Sequence, residues 1–577
     1  MDDLKTNLKF VWKYAKEEKN RFILYGILNI FIIAISVLGP ILSAKIILAL
    51  TKEEFSQVIY VAIAILLINL FKNFLGYIGQ LVTHKIHRNA LAKAEIDLGG
   101  EILKLSNTSL EKHGTGVFIQ RLNNDIARIT DVFGFILNVF SNLIRDFGIF
   151  VAVFIINKEI FVYLVIMATI SFLIEKIRAS KRNEQDKAMR KQRERVSGFV
   201  GEMVRGQKDI KLLNSEHNFL SELGTRIKDA FFLDYKMVSV SARYRFYTGV
   251  FDEITGYVSI AFLVFLIVKG QITGATALIL YNYSDSFYGF AFLLGNLLEH
   301  LKDFNLSCNR VREIFDGEDF EKENFGKKKI QHVKGDFEFD NVEFYYKKNK
   351  PVLKDLSFKI NANETVAFVG KSGSGKSTIF SLLCRLYDPV SGTIKLDGID
   401  INTLDKDTIR GNITVISQDP YIFNMTIRDN LKIVKANLKE EDMIKYAKMA
   451  CFDEFVQTLP DGYDTMIGEG GVNLSGGEKQ RLAITRALIQ ETRIVLFDEA
   501  TSALDNVTQS KIQEAIDNMK DKYTILIIAH RLSTVINADR ILLLEDGKIK
   551  MEGSHKELLS KSKDYKTLYE KEIKSNK

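Results

Sequence analysis

The residues VAFVGKSGSGKS, at positions 366–377, decide the fold class of the C-terminal half of this chain. Val366 to Val369 form a short, fully apolar run of the kind that is buried in a parallel sheet. The run leads directly into the pattern G-x-x-x-x-G-K-S, which begins at Gly370, ends at Ser377 and joins such a strand to a helix. The stretch therefore predicts an α/β domain of the P-loop NTPase type.

The chemistry of this pattern is phosphate binding. Backbone N–H groups of the glycine-rich loop surround phosphate oxygens, Lys376 reaches the terminal phosphates, and the Ser377 hydroxyl binds Mg²⁺ at the positive end of the helix. We expect ATP and Mg²⁺ as the ligands. The other predicted binding residues of the loop are Gly370, Ser372, Gly373, Ser374, Gly375 and Thr378.

A second apolar run, Ile494 to Phe497, ends at the carboxylates Asp498 and Glu499. Ligands of such sheets bind at the carboxyl ends of the strands. Asp498 is placed to hold Mg²⁺, and Glu499 is placed to orient the attacking water or accept its proton. A solvated strand end is the usual alternative for an acidic pair, but the phosphate loop favours ATP hydrolysis.

The N-terminal half has a different character, and the change falls near residue 330. Its long apolar stretches meet the length of about 20 residues that a membrane-spanning helix needs. We predict an all-α six-helix transmembrane domain at 1–315, a linker at 316–335 and the nucleotide-binding domain at 336–577. The six predicted spans are 22–50, 56–82, 132–157, 160–178, 246–269 and 274–298.

Lysine and arginine residues set the predicted orientation. They are frequent before the first span and in the connections 83–131 and 179–245, so the positive-inside rule places these segments and both termini in the cytoplasm. Apolar residues recur at helical spacing through both long connections, which predicts helices that continue beyond the bilayer. The outer connections are only a few residues long.

Several charges fall inside the predicted spans: Arg145 and Asp146, Asp252 and Glu253, and Asp285. Charges at this depth are costly, so they face a partner or a water-filled cavity. One interpretation is ion pairing that fixes the bundle. The other is that Asp285 or Asp252 lines a substrate path and favours a cationic or amphipathic cargo.

Composition excludes some classes of function. The net charge of +7 is small for 577 residues and is not concentrated in one block, so we expect no nucleic-acid partner. The three cysteines have spacings that suit neither a zinc site nor a disulfide framework. The N-terminus lacks the pattern of a cleaved secretory signal, so the first span is expected to direct insertion.

Further motifs resemble one family. Residues 474–478, LSGGE, resemble the signature sequence of ABC ATPases, and residues 502–505, SALD, resemble their D-loop, which ends here at Asp505. Gln418 matches the Q-loop, His530 the switch histidine, and Tyr346 the aromatic residue that stacks on adenine. Six spans ahead of one such ATPase are similar to the half-transporters of type IV exporters, so the resemblance covers nearly all of the chain.

The resemblance implies roles and partners. Glu499, His530, Lys376 and Gln418 would be catalytic, with Gln418 also near the metal. Asp505 and the signature residues of a second chain, Ser475, Gly476, Gly477 and Glu478, would complete the nucleotide site, so two chains are needed. Short coupling helices are expected near 107–112 and 211–216, and the segment 465–469 resembles the X-loop that contacts such helices.

The implied function is ATP-driven export of a hydrophobic or amphipathic drug, lipid or peptide across a plasma membrane, and we expect that membrane to be bacterial. An exporter-fold importer and one subunit of a heterodimer stay open as alternatives, as do a gated channel and, from another class, a soluble ABC ATPase of the DNA-maintenance kind. Three positions depart from the family pattern: Glu478 stands for the usual glutamine, Lys347 for proline and Gly470 for arginine. None of these removes a catalytic group.

Overall fold

The computed structural model describes the backbone of residues 2–348, 350–417, 419–468, 471–498, 514, 516, 520, 522–528 and 535–575. Side chains are described at these positions except 2, 183, 184, 186, 187, 190, 194, 285, 288, 291, 292, 299 and 571–575. The chain divides into two compact units. The first comprises residues 1–104 and 113–320, and the second comprises 105–112 and 321–577.

The N-terminal half is helical. Its helices are α1 Asp2–Ala15, α2 Lys19–Thr51, α3 Phe55–Ile102, α4 Asn107–His113, α5 Thr115–Gln120, α6 Ile126–Ile156, α7 Lys158–Arg205, α8 Gln207–Leu212, α9 Glu216–Val268 and α10 Gly274–Asp316. A π-helical turn, Arg121–Asp125, joins α5 to α6 without a break. Helices α3, α7 and α9 run far beyond a membrane thickness, which confirms the predicted helical continuations.

The ends of these helices follow from local chemistry. Asn157 separates α6 from α7, and its side chain accepts hydrogen bonds from the N–H groups of Glu159 and Ile160. Thr273 caps α10 in the same way through the N–H of Thr276. The three predicted outer connections are therefore short turns, as expected.

Within the described residues, five helical stretches are long and apolar enough to cross a membrane by length and composition. They cover the first five predicted spans to within one residue at the ends. The sixth predicted span lies in α10, some of whose side chains are outside the described residues. The stretches are Asp3–Thr51, Phe55–Ile102, Thr115–Ile156, Lys158–Arg182 and Glu216–Val268.

The two predicted coupling helices differ in how closely their positions match the structure. Helix α4 covers the predicted segment 107–112, whereas α8 begins four residues before the predicted 211–216. The second prediction is displaced because α7 ends at Gly206 and α9 already begins at Glu216. Asn214 between them has a left-handed backbone, with φ of 50°.

The second unit is built on strands. These are β1 Phe337–Phe344, β2 Leu353–Ile360, β3 Thr365–Gly370, β4 Ser391–Leu396, β5 Ile399–Asp400, β6 Ile413–Ile416, β7 Met425–Thr426, β8 Met466–Ile467, β9 Ile494–Asp498, β10 Thr524–Ile528, β11 Arg540–Glu545 and β12 Lys548–Gly553. Its helices beyond residue 321 are α11 Lys376–Leu383, α12 Lys406–Arg410, α13 Ile427–Lys432, α14 Glu440–Met449, α15 Asp453–Val456, α16 Gly476–Gln490, α17 His555–Lys561 and α18 Lys563–Ser575.

A six-stranded sheet forms the centre of this unit, in the order β12-β11-β3-β10-β9-β6. Strands β11, β3, β10, β9 and β6 run parallel to their neighbours, and β12 is antiparallel. The predicted buried strands, β3 and β9, are both internal, which explains why they are apolar on both faces. A separate antiparallel sheet, β2-β1-β4-β5, packs its apolar face on α11 and the central sheet.

Candidate nucleotide site

Strand register brings the predicted loop and the predicted carboxylate to one edge of the central sheet. Phe368 of β3 is paired with Ile528 of β10, and Ile528 is paired with Asp498 of β9. The three strands are parallel, so Gly370 and Asp498 end at the same edge. This edge is the position at which open α/β sheets bind their ligands.

The loop after β3 has the shape that its glycines allow. A Cβ on Gly370 would lie 2.3 Å from the carbonyl oxygen of Leu544, so a side chain does not fit there. Gly375 has φ of +103°, a left-handed backbone that favours glycine, and it stands immediately before α11. The loop therefore turns sharply and presents the N-terminus of α11 to the sheet edge, which favours an anion.

Polar groups of the loop fit a phosphate ligand. Lys376 is buried, and its ammonium donates to the carbonyls of Gly370 and Lys371 at 2.9 and 3.0 Å. Ser374 is also buried, and among the described residues its hydroxyl oxygen has no hydrogen-bond partner. A buried hydroxyl of this kind, next to a lysine at a helix N-terminus, suits the phosphates of ATP.

A metal ion at this site would depend on the nucleotide. No group of three His, Cys, Asp or Glu side chains that could hold a metal occurs in the described part of the chain. Mg²⁺ typically binds one or two protein oxygens together with substrate phosphates and water. Ser377, at the start of α11, and Asp498, at the end of β9, fit this kind of site.

Tyr346 lies beside the same helix. Its ring is half-exposed, and its hydroxyl is 3.2 Å from the Thr378 hydroxyl of α11. Phe344 and Tyr387 hold the ring in edge-on contacts, with centroids at 4.9 and 5.2 Å. An exposed aromatic face fixed next to the phosphate loop fits a stacking base.

The segment 105–112 belongs to this unit and contacts Tyr387. Asn107 donates to the Tyr387 hydroxyl, which donates to the Glu111 carboxylate, both at 2.7 Å. Burial and this carboxylate raise the pKa of Tyr387 to about 12, so the hydroxyl stays protonated as a donor. A cavity of about 450 Å³ lies between this segment and Tyr346.

The signature residues begin a well-capped helix. The Ser475 hydroxyl accepts from the N–H of Glu478, and the Glu478 carboxylate accepts from the N–H of Ser475 at 2.7 Å, which together form a capping box. Glu478, which stands in place of the family's usual glutamine, therefore caps the start of α16. Gly476 and Gly477 form the first turn of this helix.

Several predicted site residues lie outside the described residues: Gln418, Glu499, Asp505 and His530. The same is true of Glu469, the last residue of the predicted X-loop, and of Gly470, which departs from the family pattern. The structure therefore brings together Tyr346, the phosphate loop and Asp498, and it describes the signature residues on α16 of the same unit.

Sequence patterns missed a buried polar clamp behind the signature helix. The amide of Asn430 donates to three main-chain carbonyls of residues 423–426. Arg486 of α16 donates to the Asn430 carbonyl and side chain, at 3.0 and 2.5 Å, and to the carbonyl of Tyr421 at 3.0 Å. Burial lowers the pKa of Arg486. The clamp fixes α16 to the segment after the Q-loop, and no motif signals it.

Comparisons with known proteins agree with this architecture. The family model of the ABC transporter transmembrane region matches residues 22–289, and that of the ABC transporter matches residues 353–502. YgaD of Bacillus subtilis, named as a multidrug export ATP-binding/permease protein, is 32% identical over 500 residues, which cover 85% of each chain.

A second relative is named as an ATP-dependent lipid A-core flippase, from Syntrophus aciditrophicus. It is 31% identical over 527 residues, which cover 90% of this chain and 86% of the relative. Among solved structures, an ATP-bound bacterial Atm1-family ABC exporter has a TM-score of 0.85 at 24% identity, covering 96% of this chain and 99% of that chain. This likeness confirms the predicted fold class, a helical transmembrane domain followed by an ATPase domain.

Proposed function

This chain belongs to the ABC transporter family, and we propose that it is an exporter half-transporter that works as a dimer on amphipathic cargo. It is a multi-pass membrane protein that binds nucleotide and couples ATP hydrolysis to export. The observation that carries the proposal is the shared sheet edge, where the phosphate loop after β3 and Asp498 meet. Relatives named for multidrug export and lipid flipping support a hydrophobic or amphipathic drug, lipid or peptide as cargo.

The proposed chemistry is in-line attack of water on the γ-phosphate. The loop N–H groups and Lys376 bind and orient the phosphates, and Tyr346 stacks on the base. Ser377, Asp498 and Gln418 would hold Mg²⁺, which neutralises developing charge. Glu499 would orient or deprotonate the water, with His530 close to the γ-phosphate.

A second chain would complete the site. We infer that Asp505 and the signature residues of one protomer face the nucleotide of the other, because the N-terminus of α16 is another helix start that favours anions. Exposed apolar side chains support a further contact between copies. Leu212 and Leu213, at the end of α8, are 74% and 72% exposed, and Tyr421, beside a cavity of about 330 Å³ in the second unit, is 74% exposed.

We propose the domain limits 1–315, 316–335 and 336–577. Both termini would lie in the cytoplasm of a bacterial cell, with the transporter in its plasma membrane. The segment 105–112, which is part of the second unit, and α8 would carry the motion of the ATPase domains to the spans. The partner is a second copy or a homologous chain.

The test measures ATP turnover by the chain alone in lipid nanodiscs. Glu499→Gln removes the proposed base, so we expect turnover to fall by about 100-fold or more while ATP binding persists. Glu338→Gln, a substitution on the surface of β1, is the matched control and is expected to keep full turnover.

One result would decide between the two partners, and another would contradict the proposal. An inactive wild-type chain would exclude a competent homodimer and indicate that the partner is a homologous chain. ATP-dependent movement of a lipophilic dye out of inside-out vesicles, rather than into them, would exclude export.

A further inference from the structure

The contact between α7 and α9 changes character along its length. Near the outer ends, both helices bury aliphatic residues, among them Ile160, Leu164, Leu263 and Leu266. Near the cytoplasmic ends of the predicted spans, the buried side chains are polar or charged. This inner face comprises the buried Ser171, Glu175 and Arg178 of α7, the buried Thr248, Thr255 and Ser259 of α9, and the partly buried Asp252 of α9.

Charge on the inner face is unbalanced. Arg178 donates to Glu175 at 2.6 Å, and both side chains are only 8% exposed, so these two charges neutralise each other. Asp252 lies within electrostatic range of Glu175, and the two carboxylates repel. Within the described part of the chain, no ion pair links Asp252 to a cation, so one negative charge is left over.

The inner face also has a hydrogen-bond acceptor without a donor. One carboxylate oxygen of Asp252, Oδ1, is buried and has no hydrogen-bond partner among the described residues. The residue as a whole is only partly buried, so the site is open on one side. A carboxylate in this state needs a donor, because a buried acceptor without one is costly.

The neighbouring hydroxyls of α9 do not supply that donor. Thr248 donates to the carbonyls of Tyr244 and Arg245, at 3.1 and 3.0 Å. Thr255 donates to the carbonyls of Phe251 and Asp252, and Ser259 to that of Thr255. Because these protons are used within α9, the hydroxyls present only oxygen lone pairs to the inner face.

The third helix, α10, approaches this face at a glycine. A Cβ on Gly295 of α10 would lie 3.8 Å from the Glu175 Cβ, so α10 passes close to the ion pair. Glu175, Asp252 and Gly295 all lie a few residues inside the cytoplasmic ends of their predicted spans. The face therefore sits at the depth of the inner leaflet.

We propose that the inner face binds the head group of a lipophilic protonated amine, a ligand that supplies both a positive charge and an N–H donor. The proposal rests on the proposed export function and names its cargo class. The N–H donates to Asp252, the hydroxyl oxygens of α9 surround the charge, and the apolar tail lies along the bundle.

The test uses two ligands that differ by one N–H. Dodecyldimethylammonium has one N–H donor, and dodecyltrimethylammonium has the same charge and chain without a donor. Binding of each radiolabelled amine to the full chain in nanodiscs is measured without ATP, and empty nanodiscs correct for partition into lipid. We expect the tertiary amine to bind more tightly to the wild type.

Asp252→Asn is the decisive variant. It keeps the shape and removes the charge, and we expect it to weaken binding of the tertiary amine by about tenfold or more. Glu253→Gln changes an exposed carboxylate on the next residue, so it is expected to leave affinity unchanged. Asp252→Glu keeps the charge and is expected to retain most of the binding.

Each other outcome overturns the proposal in a defined way. Equal binding of the two amines would exclude the hydrogen bond, and unchanged affinity in Asp252→Asn would exclude the site. Failure of the proposed function is distinguishable because binding is measured without ATP. Asp252-dependent binding by a chain without ATP turnover would overturn transport and keep the site.

Discussion

In the second unit, the partly buried Arg486 donates to carbonyl and amide oxygens, and the buried Asn430 donates its own amide to three further carbonyls. In the first unit, buried Arg178 neutralises Glu175, but the partly buried Asp252 beside them keeps an oxygen without a donor among the described residues. Both clusters combine buried and partly buried polar side chains. The first resembles a structural clamp because its partners are present, whereas the second is incomplete until a ligand binds.

The largest expected effect in this comparison comes from Arg178→Met. It leaves the buried Glu175 and the partly buried Asp252 without a cation, so we expect a loss of about 3–5 kcal/mol in unfolding free energy. Thermal unfolding in detergent measures this loss. The double variant with Glu175→Gln is the control and should recover most of the stability; a single variant as stable as the wild type would contradict the buried pair.

Arg486→Met tests the clamp formed by Asn430 and Arg486, in which the hydrogen-bond partners are present. Removing the guanidinium takes its hydrogen bonds from the carbonyls of Asn430 and Tyr421 and one of two donors from the Asn430 side-chain oxygen, at a cost of about 1–3 kcal/mol. Lys479→Met on the same helix breaks only an exposed ion pair with Asp419, so its cost should be below about 1 kcal/mol. Chemical denaturation followed by circular dichroism separates the two. Equal costs would show that Arg486 is not a clamp.

Asp252→Asn should change stability in the opposite direction. It removes the repulsion with Glu175 in the ligand-free protein, so unfolding should become harder, by on the order of 1 kcal/mol. The same assay as for Arg178→Met measures it, with Glu253→Gln as the control. A stabilising substitution that also weakens amine binding would be the signature of a functional site. A destabilised variant would mean that Asp252 has a structural partner.

The smallest expected effect concerns His555, a histidine with a hydrogen-bond partner. Burial lowers the pKa of His555, whose ring nitrogen is 2.8 Å from the Tyr565 hydroxyl. Stability from this group is present above the unfolded pKa, about 6.5, and is lost as pH falls, because the unfolded chain takes up the proton more readily. Between about pH 7.5 and about pH 5.5, the free energy of unfolding measured by denaturation should therefore change less with pH in His555→Gln than in the wild type. An unchanged pH dependence would contradict this.

Much of the fold could be predicted from local patterns. The run 366–377 sets strand, loop and helix in order, and five of the predicted spans lie in long apolar helices. These features depend on neighbouring residues, which is why sequence patterns find them. The second short helix was displaced because its position depends on where α7 ends, and the domain limits stay a prediction.

The candidate site divides in the same way. Motifs pointed to the loop, Tyr346 and Asp498, but the contact of Tyr387 with Glu111 joins residues 276 positions apart. The Glu175 and Arg178 pair did carry a signal, since two charges three residues apart inside a span share a helix face. The roles of Glu499, His530, Gln418 and Asp505 stay predictions.

The sequence by itself determined the strand, loop and helix around 366–377, the positions of five long apolar helices and which family the chain resembles, because periodicity and turn residues act over short distances. Only the tertiary structure decided which buried polar groups have partners. Thr248, Thr255 and Asp252 look alike in sequence as polar residues in a span. Whether each one donates, accepts or lacks a partner depends on neighbouring turns and on α7 and α10, and that distinction separates a packed interface from a binding site.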